Sequence, residues 1–116
     1  MPKQKLNPLP SAAFHILLSL AGEDLHGYAI MREVAAHTGG RMRLGPGTLY
    51  SSIQSLLEAK LIEERDAQED PALNRERRRY YRLTSAGRNV ARTEAGRLAD
   101  ILRVARAKKI LRGEYV

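Results

Sequence analysis

The sequence predicts a mainly α (α+β) protein: three short helices, a β-hairpin and one long terminal helix, in that order. Three observations lead there. Apolar residues recur at helical spacing in three short segments ahead of Lys60. Ile62–Asp66 and Arg79–Leu83 read as paired strands around a polar loop. After Thr84 a helical pattern runs without Pro or paired Gly to about Arg112.

The chain has 116 residues, enough for one domain with a modest core. Hydrophobic residues make up 43%, so it is globular rather than disordered. With one Phe, five Tyr and no Trp, the core must be built from aliphatic side chains. The formal net charge of +7 favours a polyanionic partner. No apolar run approaches the length of a membrane span, and no membrane role is expected. Residues 1–10 lack a signal-peptide hydrophobic region and read as a flexible polar arm. Cysteine is absent, which excludes disulfides and thiolate chemistry. The expected location is the cytoplasm, at the nucleoid. Residues 11–83 form the expected principal unit and residues 84–116 a terminal helix.

Ser11 is placed to cap a first helix running to about Ala21, with Phe14, Leu17, Leu18 and Ala21 on one face and Gly22 as a stop. Asp24–Gly27 is read as a turn. A second helix, about Gly27 to Thr38, turns Ile30, Met31, Val34 and Ala35 inward and ends at Gly39–Gly40. Arg41–Leu44 is an extended link. The third helix begins near Pro46, because a first helical residue has no use for its N–H. At ~100° per residue, Leu49, Ile53, Leu56 and Leu57 share one arc. Gly47, Thr48, Ser51, Gln54, Ser55 and Glu58 share the opposite arc, with Tyr50 at the boundary. The hairpin follows, its loop ending in Arg75, Arg77, Arg78 and Arg79. Thr84 then caps the last helix, expected to be roughly 40 Å long at about 1.5 Å per residue.

Three short helices, a hairpin and a long helix are the parts of a winged helix-turn-helix with an appended dimerisation helix. In that arrangement the third helix lies in the major groove. Thr48, Ser51, Gln54 and Ser55 are the candidate base readers, and the Gln54 amide can bind adenine in bidentate fashion. Tyr50 with Arg77, Arg78 and Arg79 are the candidate phosphate holders. The third helix itself is nearly neutral, with Glu58 against Lys60. Between Ala86 and Arg112 eight Lys/Arg face two acids. On the terminal helix Ala86, Val90, Ala91, Leu98, Ile101, Leu102, Val104 and Ala105 gather on one arc. A helix this long cannot bury that stripe on so small a domain, so a second copy is expected to cover it. Val90, Leu98, Ile101, Leu102 and Ala105 are the candidate interface.

No catalytic site is expected. His15, His26 and His37 lie on separate elements, so no metal is expected. Gly45–Thr48 lacks the Gly-Lys-Ser/Thr of a phosphate loop, and no nucleophile elbow occurs. Glu63 and Glu64 face opposite sides of a strand. No cofactor is expected.

Four ordered motifs together resemble the PadR-type transcriptional regulators: Leu25-His26-Gly27-Tyr28-Ala29-Ile30, Leu44-Gly45-Pro46-Gly47-Thr48-Leu49-Tyr50, Leu57-Glu58-Ala59-Lys60-Leu61-Ile62 and Tyr80-Tyr81-Arg82-Leu83-Thr84-Ser85-Ala86-Gly87. The resemblance spans about Pro10 to Arg112, and the single terminal helix is similar to that of the smaller members. It implies a homodimeric bacterial repressor on a palindromic operator in double-stranded DNA. It implies DNA contact at Thr48 and Tyr50, and at Gly27 and Tyr28 near the backbone. It also implies release by a small aromatic or drug-like effector near the subunit interface. Two other readings stay open. One is a winged fold that binds protein; the other is a non-specific architectural DNA binder.

Overall fold

The computed structural model describes Leu6, residues 8–65 and residues 79–112. Its elements are α1 (Ser11–Gly22), β1 (Leu25–His26), α2 (Gly27–His37), α3 (Pro46–Glu58), β2 (Ile62–Arg65), β3 (Tyr80–Leu83) and α4 (Ser85–Ala107). Asp66, the expected last residue of the first hairpin strand, lies outside the described residues.

The core is aliphatic, as the composition requires. Ile16, Leu17, Ile30, Val34, Leu49, Leu56 and Ile62 are all essentially sealed from water. α1 is the central element, touching α2, α3, α4 and β3. That position explains a difference from the expected face. Phe14 and Leu17 are buried, but Leu18 and Ala21 are exposed, and Ala13, Ile16 and Leu20 complete the buried side. Ile16, Leu17, Leu18 and Leu20 are all apolar, so periodicity alone cannot centre the arc. Nor does Ser11 cap α1: Pro10 holds the cap position, with no side-chain hydrogen bond.

The sheet has a third strand. β1, read from sequence as a turn, pairs antiparallel with β3 (Leu25 opposite Tyr81, His26 opposite Tyr80), giving the order β1-β3-β2. His26 then does two further things. Its Nδ1 accepts the Ala29 N–H at 3.1 Å, which caps α2. Its ring stands edge-on to Tyr80, with the centroids 5.5 Å apart. One residue thus ties the start of α2 to the wing.

α2 ends where Thr38 Oγ1 donates to the Val34 carbonyl at 2.8 Å and accepts the Met42 N–H at 3.0 Å. Gly39 and Gly40 both take positive φ, 62° and 80°, which reverses the chain toward α3. α3 closes on Lys60, whose φ of 60° puts a lysine where glycine is usual. The Leu61 N–H then reaches the Leu56 carbonyl at 3.0 Å.

α4 is capped as expected, with Thr84 Oγ1 accepting the Gly87 N–H at 3.0 Å. It stops at Ala107 rather than near Arg112, because Lys109 turns to positive φ. Its 23 residues span about 34 Å at the rise of an α-helix. Gly87 and Ala91 are buried and Val90 and Leu98 half-buried, so only the first half packs on the domain. The rest projects, and the molecule measures 55 × 32 × 26 Å. Leu6 and Leu9 of the N-terminal arm pack against the core.

Candidate nucleic-acid interface

α3 divides as its spacing predicts. Leu49, Ile53 and Leu56 are buried and Leu57 is half-buried. Ser52 is buried with them, which the sequence reading did not single out. Thr48, Tyr50, Ser51 and Gln54 are exposed and Ser55 is half-buried. One continuous hydroxyl and amide surface therefore runs along the helix. In the free protein the Gln54 amide donates to Glu58 Oε1 at 3.2 Å. That partner lies one turn on and holds the amide extended along the surface.

Tyr50 stands 52% exposed at the edge of this face. Its phenol lies against Gly27: a β-carbon built there would come within 2.7 Å of the Tyr50 oxygen. Gly27 itself, one of the expected DNA contacts, is buried in the free protein. It provides the space in which Tyr50 reaches α2. Tyr28, by contrast, is 59% exposed. Behind Tyr50 lies the buried Tyr81, whose phenol is held above its ordinary pKa by burial first, then by Glu64 and Tyr50.

The electrostatics differ from the expected pattern. Arg77 and Arg78 lie outside the described residues. Arg79 is exposed and faces Glu64 at 3.5 Å. Arg82 pairs with Glu63 at 3.1 Å, and Arg65 with Asp24 at 3.0 Å. The described arginines of the sheet thus each have an acid beside them. Two further cations, Arg41 and Arg43, are exposed in the link that leads into α3. On α2, Arg32 lies over the Tyr28 ring with its guanidinium carbon 5.8 Å from the centroid, a cation–π arrangement. The i,i+4 spacing of Tyr28 and Arg32 is the sequence signal that would have found that pair.

On α4 the exposed part of the stripe is plain. Ile101, Leu102 and Val104 are each about half exposed at 49%, 46% and 54%, while Ala105 is half-buried. Near the start of the helix a cavity of about 460 Å³ opens between Leu6 and Leu9 of the arm and Val90, Thr93, Glu94 and Arg97. Arg97 grips Glu94 there by two hydrogen bonds, one of 2.8 Å and one of 2.7 Å. Such a fork on a carboxylate is among the stronger hydrogen-bonded pairs.

Two of the three histidines, 22 positions apart in sequence, meet. His15 Nδ1 of α1 and His37 Nε2 of α2 are 2.9 Å apart, with the rings stacked. Burial, then the neighbouring His37, hold the His15 imidazole below its ordinary pKa. Among the described residues no group of three or more His, Cys, Asp or Glu can hold a metal ion, and no helix is long and apolar enough to cross a membrane.

The same arrangement recurs in known proteins. The model of the Transcriptional regulator PadR-like family matches residues 16–99. Transcriptional regulator Rv3488 of Mycobacterium tuberculosis is 34% identical over 101 residues, which cover 86% of this chain and 82% of that protein. An uncharacterized 37.1 kDa protein in transposon TN4556 of Streptomyces fradiae is 36% identical over 86 residues; they cover 74% of this chain but 22% of that protein. Among solved structures, a PadR family transcription regulator from Clostridium difficile superposes with a TM-score of 0.72 at 22% identity, covering 84% of this chain and 97% of that one. Bacillus subtilis PadR, solved in complex with operator DNA, superposes at 0.63 with 19% identity, over 73% of this chain and 46% of that one. The four ordered motifs, the three-stranded winged fold and the family match over most of the chain agree, and this protein belongs to the PadR-like family of transcriptional regulators, which are not enzymes.

Proposed function

We propose that the chain is a sequence-specific DNA-binding repressor that acts as a homodimer on an inverted-repeat operator in the cytoplasm. The observation that carries this reading is α3, whose aliphatic arc is sealed in the core while Thr48, Ser51 and Gln54 stand bare along the opposite side. A helix of that kind fits a major groove, with hydroxyls and an amide against base edges. Tyr28, Tyr50, Arg77, Arg78 and Arg79 hold phosphates in this reading. The operator complex of B. subtilis PadR supports it by likeness of fold.

The second copy covers the α4 stripe at Val90, Leu98, Ile101, Leu102 and Ala105, which supplies the burial that one domain cannot. Two-fold pairing sets the half-sites about 34 Å apart or at a multiple of that. A small aromatic or drug-like effector that binds near this interface releases the DNA.

Footprinting of the region upstream of the gene tests the proposal, alongside gel shifts on the protected fragment. An inverted repeat should be protected, and Gln54→Ala should cut the ratio of operator to random-site affinity by roughly 1–3 kcal/mol. Equal affinity for every duplex would identify an architectural binder. No binding at low salt would leave a protein-interaction module.

A further inference from the structure

We propose that Arg41 and Arg43, on the link between α2 and α3, are a pair of DNA-phosphate contacts; the inference rests on the DNA-binding reading above. α3 contains no Lys or Arg, so the reading helix cannot grip a polyanion by its own side chains. The cations that hold the backbone must come from neighbouring elements. Ahead of α4, those of the sheet face acids, namely Arg65 with Asp24, Arg82 with Glu63 and Arg79 with Glu64. Four others form no ion pair among the described residues: Arg32, Arg41, Arg43 and Lys60. Arg32 falls about 160° around α2 from the buried Ile30, on the outer side of that helix. Lys60 lies past the C-terminal end of α3, whereas a recognition helix meets base edges with its N-terminal residues. Arg41 and Arg43 remain, and the chain itself ties them to that N-terminal end, since Arg43 stands two residues before the cap residue Gly45.

The surrounding sequence suits the role. Between Glu33 and Glu58 the chain holds no acid, and Arg41 and Arg43 are its only Lys or Arg. The turn and nearly all of the reading helix therefore carry one sign of charge, concentrated just ahead of the helix start. Exposure alternates along the link: Met42 is half-buried and Leu44 buried, while Arg41 and Arg43 are exposed. The apolar pair anchors the link and leaves the two arginines to solvent. They are close enough in the chain to meet neighbouring phosphates of the strand beside a groove that holds α3.

The link is held in place before DNA arrives. Thr38 binds it twice: its carbonyl accepts the Arg41 N–H at 3.1 Å, and its Oγ1 accepts the Met42 N–H at 3.0 Å. The Arg43 guanidinium lies against Gly40, where a β-carbon would come within 3.3 Å of Nη2. An ordered backbone has less conformational freedom to lose on binding. Each guanidinium can present two N–H groups side by side to a phosphate. In this scheme α3 reads the bases and the link in front of it supplies grip.

The experiment is fluorescence anisotropy of the full-length protein with a labelled duplex of mixed sequence, across a series of KCl concentrations. Arg41→Gln and Arg43→Gln should each reduce the steepness of log K against log salt by about 0.9 per bound subunit and weaken binding roughly five- to tenfold near 0.1 M salt. The double variant should lose about twice as much slope. Arg43→Lys keeps the charge and should keep the slope. Arg32→Gln removes the same charge from the outer side of α2 and should leave the slope unchanged. A native slope in the double variant, or an equal fall in Arg32→Gln, with the native protein still binding, would overturn this inference and leave the DNA reading intact. Failure of the native protein to bind duplex at low salt would remove both.

Discussion

Two glycines of α4 should respond in opposite ways to the same methyl group. Gly87 lies in the first turn, and a β-carbon there would fall on the Leu61 carbonyl oxygen and within 2.8 Å of Leu83 Cδ1. That carbonyl is backbone and already accepts the Thr84 N–H at 3.1 Å, so it cannot rotate aside. Gly87→Ala would ordinarily gain ~1 kcal/mol in a helix. Here α4 must lift off Leu61 and Leu83, with an overpacking cost of ~1–3 kcal/mol and weakening of a hydrogen bond contributing ~1 kcal/mol. The net effect is a loss of about 2 kcal/mol, or a fall in Tm of roughly 8–16 °C for a domain of this size. Gly96, on the side of α4 away from the apolar stripe, has nothing within 4 Å of its own β-carbon. Gly96→Ala should raise stability by ~0.5–1 kcal/mol. Thermal melts followed by circular dichroism at one protein concentration decide the matter. If Gly87→Ala melts within about 2 °C of the native chain, α4 is not seated on Leu61 and the packing argument is wrong.

Three further outcomes are expected. Thr84→Ala removes both the cap of α4 and the hydroxyl that donates to the Lys60 carbonyl at 2.8 Å. A loss of about 1 kcal/mol should appear in urea titrations. The His15 imidazole titrates below its ordinary value of 6.5, so the unfolded chain takes up this proton first as the pH falls. Stability should therefore be lost from about pH 6.5 down to the folded pKa and level off below it, and His15→Phe should flatten that part of a Tm-against-pH curve. Ile101→Glu with Leu102→Glu places two charges in the exposed stripe, and sedimentation velocity should show monomers where the native chain sediments as a dimer.

The legible parts of the chain were those whose pattern is local. α3 could be read almost residue by residue, since Pro46 marks its start and its apolar residues fall on one arc. Thr84 declared the cap of α4 in the same way. β1 was not legible, because two residues carry no alternation; Leu25 and His26 are a strand only by virtue of their partner β3. The buried side of α1 was misplaced for the opposite reason, since nearly every position there is apolar. Long-range meetings left no trace in the sequence. His15 finds His37, and Gly27 finds Tyr50, through packing of helices that no local period encodes. Gly27 leaves the room that the Tyr50 phenol fills.

The seam between α3 and α4 has a mechanical consequence. Thr84 donates twice, through its N–H to Leu61 and through its hydroxyl to Lys60, just past the end of α3, while Gly87 lets the two backbones nearly touch. The joint has no slack, so the long helix behaves as a lever arm clamped to the end of the reading helix. In a symmetric pair, a small swivel of the arms at their crossing would be carried undiminished to the far heads and would change their separation. In such a pair the spacing between the heads would be gauged by the crossing angle of the arms.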